Sequence, residues 1–323
     1  MLFSPIVTGR LEAMSQTSPT THNGKASMTE PIFGTMIPAM VTPFTDEGEL
    51  DLEATQSLAN YLVENGADGL VVTGTTGETS TLTDDENIKV FEAVVEAVGG
   101  QAKVIAGTGM NDTAHSAHLS KRAESAGVDG LLLVTPYYNK PNQAGIQAHF
   151  EYIASATDLP VMLYDIPGRS VMPIEPQTLI ELSKHSNIVA LKDAKADYQS
   201  TTLVLANTDL TVYSGDDGLT LPLMAAGAVG VVSVTGHVAP RTYRELVDAA
   251  NAGDFETARA KHFALDPIQR AVMTHVQGAV AAKTVLQWQG VIPSARVRLP
   301  LVAVTEDEAA IIKADLAEGG ITF

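Results

Sequence analysis

Short apolar runs that recur along most of the chain are the feature that most constrains its fold. Eight of them, rich in β-branched residues, follow one another from Phe33 onward: TMIPAMVTP, GLVVTG, KVIAGTG, GLLLVTP, PVMLYD, IVALKD, LTVYSG and VGVVSVTG. Their apolar residues are continuous rather than alternating, which is typical of parallel strands covered on both faces. We therefore predict eight buried parallel strands.

The segments between these runs have helical spacing. Residues 83–99 show it clearly, because Thr83 and Glu86 stand in the relation of a capping box and Gly99 closes the segment. Eight strands that alternate with helices predict an α/β fold, a (β/α)8 TIM barrel, with a doubly wound sheet as the weaker alternative.

The two ends of the chain depart from this repeat. Residues 1–32 are polar and rich in Ser and Thr, so we expect a disordered tail, and they lack the basic leader and apolar core of a targeting peptide. After residue 253 the apolar runs stop, helical spacing continues, and Thr305 and Glu308 form a second predicted capping box. The predicted domains are the tail at 1–32, a catalytic barrel at 33–253 and a small C-terminal helical domain at 254–323.

Composition argues against several classes of function. The formal net charge is −18 over 323 residues, which disfavours nucleic acid or an anionic membrane as a partner. The sequence contains no cysteine, so it offers no disulfide, thiolate nucleophile or cysteine metal site. No apolar stretch reaches the length of a membrane span. An anionic substrate would need a site that is locally positive.

Lys192 stands at the end of the apolar run IVALKD, with Asp193 beside it. Most lysines in such a place reach water along their methylene stem. A lysine kept from water loses its proton more easily and becomes a nucleophile toward carbonyls. In a (β/α)8 barrel the carboxyl ends of the strands carry the active site, which favours the second interpretation.

The other predicted strand ends carry polar groups too. They are GTTGE at 74–78, TPYYN with Tyr137 and Tyr138, Tyr164 followed by DIPGRS, then SGDD and SVTGHV. Taken singly, these are ordinary turns, packing tyrosines and solvated charges. A lysine, several hydroxyls, an arginine and glycine-flanked amides on one rim together suit a carbonyl substrate that bears a carboxylate.

Six ordered segments resemble the signatures of one enzyme family: GTTGE, VTPYYNKP, LYDIPGRS, LKDAKAD, YSGDD and VVSVT. They resemble the dihydrodipicolinate synthase family of pyruvate-dependent class I aldolases, which includes N-acetylneuraminate lyase, from about Phe33 to the C-terminus. The resemblance implies a lyase that forms a Schiff base and condenses pyruvate with L-aspartate 4-semialdehyde. The product would be 4-hydroxy-tetrahydrodipicolinate, in the first committed step of diaminopimelate and lysine biosynthesis.

The resemblance also implies catalytic roles for four residues. Lys192 would form the imine with pyruvate. An unshifted lysine is neutral only about once in 2,500 molecules at pH 7, so burial at the rim would raise the reactive fraction. Tyr164, Thr75 and Tyr138 would carry protons, and Tyr138 would reach in from a neighbouring subunit.

Four further residues are implied to bind substrate. The amides around Thr75 and Thr76 precede a helical stretch and would hold the pyruvate carboxylate. Arg169 would grip the carboxylate of aspartate semialdehyde as a two-pronged fork. Gly215 and the carbonyl of Val232 would line the same pocket.

No metal and no cofactor are implied, because the imine itself is the electron sink. The resemblance implies a cytoplasmic homotetramer built from tight dimers. Two alternatives stay open: a sibling 2-oxo-acid aldolase or lyase acting on N-acetylneuraminate or a 2-keto-3-deoxy sugar acid, and a non-catalytic barrel that binds small carboxylates. Arg169 and the two threonines of GTTGE favour the synthase, since the lyase loop typically reads Gly-Ser-Thr-Gly-Glu.

Weaker signals complete the sequence. His115 and His118 have a spacing that can bind metal, but without an obvious third ligand a surface helix is expected. Asp216 and Asp217 are interpreted as loop groups that support the site.

In family members that are inhibited by lysine, the inhibitor binds at the tight-dimer interface. At the position that is usually acidic in those members, this chain has His115. At the positions that are usually histidine, it has Asp84 and Asn87. A histidine supplies no charge for the inhibitor's ammonium and repels it when protonated. We therefore expect weak or absent inhibition by lysine.

Overall fold

Eight parallel strands follow one another as the apolar runs predict. The structure is a computed structural model and describes residues 31–323, so most of the predicted tail, residues 1–30, lies outside the described residues. The strands are β1 (Met36–Pro38), β2 (Gly69–Val72), β3 (Lys103–Gly107), β4 (Gly130–Val134), β5 (Val161–Asp165), β6 (Ile188–Asp193), β7 (Thr211–Ser214) and β8 (Gly230–Ser233).

One sheet contains all eight strands, in the order β1-β8-β7-β6-β5-β4-β3-β2. Beyond β1, the N–H of Met40 donates to the carbonyl of Val71 at 2.8 Å. Ala39 also forms a parallel bridge with Val71. These contacts join the two ends of the sheet, which confirms the (β/α)8 barrel and excludes the doubly wound alternative.

The helices are α1 (Leu52–Glu64), α2 (Asp84–Val98), α3 (Thr113–Ser125), α4 (Gln143–Ala154), α5 (Pro167–Ser170), α6 (Pro176–Leu182), α7 (Tyr198–Asn207), α8 (Thr220–Ala226), α9 (Pro240–Asn251), α10 (Phe255–Met273), α11 (Gly278–Trp288) and α12 (Glu306–Glu318). Their starts follow local rules. Thr83 and Thr305 form the two predicted capping boxes. Asp51 and Asp112 cap α1 and α3 through their carboxylates.

Alternation along each strand decides which side chains enter the barrel. One cluster of buried residues fills the barrel interior, and the neighbours of these residues along the strands face the helices in a larger core. The interior cluster consists of Phe33, Ile37, Ala39, Val71, Ile105, Leu132, Met162, Tyr164, Ala190, Tyr213 and Val232. Side chains two positions apart on a strand share a face. Lys192, two residues beyond the interior Ala190, therefore also points inward, at the carboxyl end of β6.

The region after residue 253 is helical, as predicted, and consists of α10, α11 and α12 with a non-helical segment at 289–305. Leu265, Ile268 and Val272 of α10 belong to the same hydrophobic core as the barrel. Residues 31–323 form one compact unit. The domain boundary at residue 253 therefore stays a prediction. Within that range no helix is both long and apolar enough to cross a membrane.

Candidate active site

A cavity of about 230 Å³ opens at the carboxyl ends of β2 to β5. The predicted site residues Thr75, Tyr164 and Arg169 line it. Its other lining residues are Thr73, Gly74, Thr79, Ser80, Gly107, Gly109, Leu132, Val134, Tyr137, Ile166 and Ser170. The barrel thus brings residues from four different loops to one rim.

Lys192 is buried, with 5% of its surface exposed. It takes part in no ion pair within residues 31–323, and its Nζ lies 4.0 Å from the centre of the Tyr164 ring. Burial lowers the pKa of the Lys192 ammonium to about 7, the charge of Asp217 opposes that shift, and the charge of Arg169 adds to it. A far larger fraction of Lys192 than of an exposed lysine is therefore a neutral amine at pH 7.

Tyr164 stands directly opposite Lys192 in the register between β5 and β6. It is 5% exposed, and burial raises the pKa of its phenol above the usual range. The phenol therefore keeps its proton at neutral pH and can donate a hydrogen bond to a reacting oxygen.

Gly215 follows β7 and leaves the space that Lys192 occupies. A Cβ atom at this position would lie 2.9 Å from Cγ and 3.1 Å from Cε of Lys192. The N–H of Gly215 donates to the carbonyl of Asp193 at 2.7 Å, which fixes the approach of the two strand ends. Any larger residue would displace the lysine.

The loop at 74–78 follows β2 on the same rim, where Gly74 and Thr75 line the cavity and Thr76 is buried without lining it. No acceptor within residues 31–323 receives the N–H groups of Thr75 and Thr76. The helical stretch that follows them is α2, which begins at Asp84 after the predicted Thr83 cap, and a single 3₁₀ turn, Thr79–Thr81, lies between. Glu78, which adopts a left-handed conformation, separates the amides from that helix. The amides must therefore act as loop donors, without the dipole of a long helix.

Arg169 lies in the short helix α5 and is exposed. It borders both the cavity beside Tyr164 and a second, wider depression that includes Gly215 and Asp217. Its guanidinium makes no ion pair within the described residues, so it remains available to an incoming carboxylate. Arg169 thus supplies one unpaired positive charge at the rim of a chain whose net charge is acidic.

Tyr138 lies outside the cavity of its own chain. Its side chain is exposed, at 87%, and its φ of 74° is unusual for a residue with a Cβ atom. The neighbouring Tyr137 lines the cavity instead.

Asp217 is buried behind the site. Its carboxylate accepts hydrogen bonds from Ser233 Oγ at 2.5 Å and from the N–H and Oγ1 of Thr235 at 2.9 Å each. These hydrogen bonds fix the position of the Asp217 carboxylate, whose charge opposes the lowering of the pKa of Lys192. The predicted Val232 lies in the barrel interior, next to Ser233, and is 1% exposed.

His115 and His118 do not form a metal centre in the described part of the chain. Nε2 of His115 instead lies 2.8 Å from the Asp84 carboxylate. Residues 31–323 contain no group of three side chains that could hold a metal ion.

Lys283 was not predicted as a functional residue, although the sequence around it resembles that around Lys192. It is a lone lysine in an apolar segment, GAVAAKTVLQW, and its side chain is fully buried. Its Nζ lies 2.5 Å from a carboxylate oxygen of Glu78, the last residue of the GTTGE loop.

The fold and the polar side chains at its carboxyl rim define a (β/α)8-barrel enzyme. The profile of the Dihydrodipicolinate synthetase family matches residues 32–318. The chain belongs to this family.

Individual relatives agree with the family match. The chain is 54% identical over 289 residues to the 4-hydroxy-tetrahydrodipicolinate synthase of Kineococcus radiotolerans, covering 90% of this chain and 94% of that protein. The enzyme from Cyanidioschyzon merolae, solved with lysine bound, has a TM-score of 0.87 at 39% identity, over 90% of this chain and 99% of that one. A monomeric dihydrodipicolinate synthase variant has a TM-score of 0.86 at 37% identity, over 90% of this chain and 98% of that one.

Proposed function

We propose that this protein condenses pyruvate with L-aspartate 4-semialdehyde to 4-hydroxy-tetrahydrodipicolinate, the first committed step of diaminopimelate and lysine biosynthesis. The observation that carries the proposal is Lys192, a buried and unpaired lysine at the carboxyl end of β6 whose pKa is lowered to about 7. The identity of the two substrates is inferred from membership of the family. As a biosynthetic enzyme it would act in the cytoplasm.

Lys192 begins the reaction as a neutral amine. Its nitrogen attacks the ketone carbon of pyruvate, and loss of water gives a protonated imine. The imine draws electrons from the adjacent methyl group, which loses a proton and becomes an enamine carbon. That carbon attacks the aldehyde of the second substrate. The amino group of the second substrate then closes the ring on the imine carbon and releases Lys192.

Tyr164 is the proton carrier nearest the lysine. Because its phenol keeps its proton, it donates to the ketone oxygen as that oxygen leaves as water. Thr75, which lines the same cavity, continues the relay toward solvent. Tyr138 of a second subunit would complete the relay, since its exposed ring lies outside the cavity of its own chain.

Two positive or donor-rich places receive the substrate carboxylates. The N–H groups of Thr75 and Thr76 bind the carboxylate of pyruvate. Gly215 and the carbonyl of Val232 shape the opposite wall of the pocket. Arg169 binds the carboxylate of aspartate semialdehyde through paired N–H groups. No metal or cofactor is needed for these steps.

The role given to Tyr138 requires an assembly of at least two subunits, and we propose a homotetramer made of two tight dimers. The monomeric variant among the structural relatives is a reminder that assembly varies in this family. Light scattering on the purified protein measures the state directly. A fully active monomer would remove Tyr138 from the relay.

Trapping of the imine tests the central step. The protein is incubated with pyruvate and borohydride, and the adduct is located by mass spectrometry of peptides. We expect one reduced adduct on Lys192 and none in Lys192→Met. A wild-type protein without an adduct would refute every imine mechanism and favour the non-catalytic barrel. Turnover with aspartate semialdehyde but not with sugar aldehydes separates the synthase from its sibling aldolases.

Feedback inhibition by lysine is expected to be weak or absent. The hydrogen bond between His115 and Asp84 occupies the Asp84 carboxylate, which would otherwise be a partner for the inhibitor's ammonium. Steady-state assays with increasing lysine measure this. Strong inhibition at sub-millimolar lysine would contradict the expectation.

A further inference from the structure

Glu78, the last residue of the 74–78 loop, is held in an unusual backbone conformation. Its φ is 58°, in the left-handed region that residues other than glycine rarely adopt. It is also buried, with 3% of its surface exposed. A charged residue under both conditions must be fixed by strong partners.

Those partners come from the far end of the sequence. Lys283 Nζ donates to one carboxylate oxygen of Glu78 at 2.5 Å, and the backbone N–H of Arg298 donates to the other at 2.9 Å. Lys283 also donates to the carbonyl of Arg296 at 2.8 Å. Lys283 belongs to α11, and Arg296 and Arg298 belong to the segment that follows it.

An aromatic ring completes this junction. Nζ of Lys283 lies 4.0 Å from the centre of the Phe44 ring, and the guanidinium of Arg298 lies 4.4 Å from it. Arg298 also binds Glu86 of α2 through its guanidinium at 2.6 Å. The C-terminal helical region therefore grips the barrel at the root of this loop.

Backbone contacts within the loop couple the position of Glu78 to that of the amides of Thr75 and Thr76. The N–H of Glu78 donates to the carbonyl of Thr75 at 3.2 Å. Gly77 has no spare room, because a Cβ there would lie 2.8 Å from Cα of Thr73, and its carbonyl accepts from Thr42 Oγ1 at 2.7 Å. A shift of Glu78 would therefore move the backbone N–H groups of Thr75 and Thr76.

We propose that the Glu78–Lys283 ion pair is a positioning device, through which the C-terminal helical region sets the loop amides of Thr75 and Thr76 at the distance that a pyruvate carboxylate requires. This rests on the proposed function, in which that loop binds pyruvate. Glu78 and Lys283 touch no substrate. They act through the loop, and their loss should weaken pyruvate binding more than turnover.

The test uses Glu78→Gln and the double variant Glu78→Gln/Lys283→Met in the full-length protein. Glutamine keeps the shape of the side chain, and Lys283 can release its proton once the carboxylate is gone, because burial lowers its pKa. We expect the KM for pyruvate to rise at least about tenfold in both variants. The kcat and the KM for aspartate semialdehyde should change by less than about threefold.

Arg244→Met is the matched control. Arg244 binds Asp68 at 3.0 Å, just before β2, so this ion pair lies at the opposite end of the strand that leads into the loop. The control should lose stability and leave the KM for pyruvate unchanged. Lys283→Arg keeps the charge opposite Glu78, so its KM for pyruvate should rise less than the KM of Glu78→Gln.

The outcomes separate this proposal from the proposed function. If the variants lower only the thermal stability, as Arg244→Met does, and pyruvate binds normally, the pair is a structural brace and the positioning role is refuted. If wild type forms no borohydride adduct with pyruvate, the proposed function itself fails. An adduct on Lys192 in every variant at saturating pyruvate, with a raised KM, supports both.

Discussion

Lys192 and Lys283 are two buried lysines that differ in their partners. Both have their pKa lowered by burial, and both place Nζ 4.0 Å from the centre of an aromatic ring, Tyr164 and Phe44 respectively. Lys283 has Glu78 at 2.5 Å, whereas Lys192 has no paired carboxylate within residues 31–323. Burial alone makes a lysine costly to charge. The presence or absence of a carboxylate decides whether it becomes a structural cation or a nucleophile.

The comparison also explains why Asp217 does not neutralise the site. Its carboxylate is saturated by Ser233 and Thr235, so it acts on Lys192 only through its field. It raises the pKa of Lys192 less than burial lowers it. Glu78, in contrast, gives one oxygen directly to Lys283.

Lys192→Met and Lys283→Met should differ most in their turnover. Lys192→Met is expected to lower kcat/KM by at least about 10³-fold, because the nucleophile is absent. Lys283→Met, assayed at saturating pyruvate, should still form the borohydride adduct. A coupled assay and peptide mass spectrometry measure both. Comparable losses at the two positions would break the comparison.

Only the substitution of Lys283 should lower the free energy of unfolding. Lys283→Met leaves the Glu78 carboxylate buried without its partner, which should destabilise the protein by about 3–5 kcal/mol. At pH 8 Lys192 is mostly neutral when folded and protonated when unfolded, so folding must remove a proton. Lys192→Met removes that penalty and should leave stability unchanged or raised.

Urea unfolding at pH 8 and at one protein concentration measures these stabilities. The double variant Glu78→Gln/Lys283→Met should recover most of the loss, because it buries no unpaired charge. A Lys192→Met protein as unstable as Lys283→Met would show that Lys192 is a structural cation after all.

The rings beside the two lysines provide a finer test. Tyr164→Phe keeps the ring and removes the proton that the proposed relay uses, so kcat should fall about 10²-fold with little change in stability. Phe44→Leu, beside Lys283, should lower stability by about 1–3 kcal/mol and leave kcat nearly unchanged. Steady-state kinetics and urea unfolding of both variants measure these effects. A normal kcat in Tyr164→Phe would remove this phenol from the mechanism.

The smallest expected effect is a shift in pH dependence. The lowered pKa of Lys192 means that the rate of imine formation should rise with pH through about 7 and then level off. The charge of Arg169 lowers this pKa, so Arg169→Ala should move the midpoint upward, by less than about one pH unit. Lys283→Arg should leave the midpoint unchanged. Stopped-flow mixing with pyruvate across pH 5.5–9 records it, and a downward shift in Arg169→Ala would contradict the electrostatic account.

Most of the barrel could be predicted because its signals are local. Continuous apolar runs, helical spacing and the capping boxes at Thr83 and Thr305 depend on residues within a few positions of one another. The alternation of side chains along β6 likewise places Lys192 inside the barrel once the strand is recognised. The loop at 74–78 was less predictable, because Glu78 is held by Lys283 and Arg298, which lie far along the chain.

The sequence by itself determined the barrel and the position of Lys192 at a strand end. Only the tertiary structure decided what each lone lysine does, because Lys283 meets a carboxylate that lies 205 positions away in the chain and Lys192 meets none. Tyr138 is similar, since the sequence marks it as a site residue and the fold leaves it 87% exposed. The reason is physical: desolvation and charge pairing depend on every group that surrounds an atom in space, and neighbours along the chain supply only some of them.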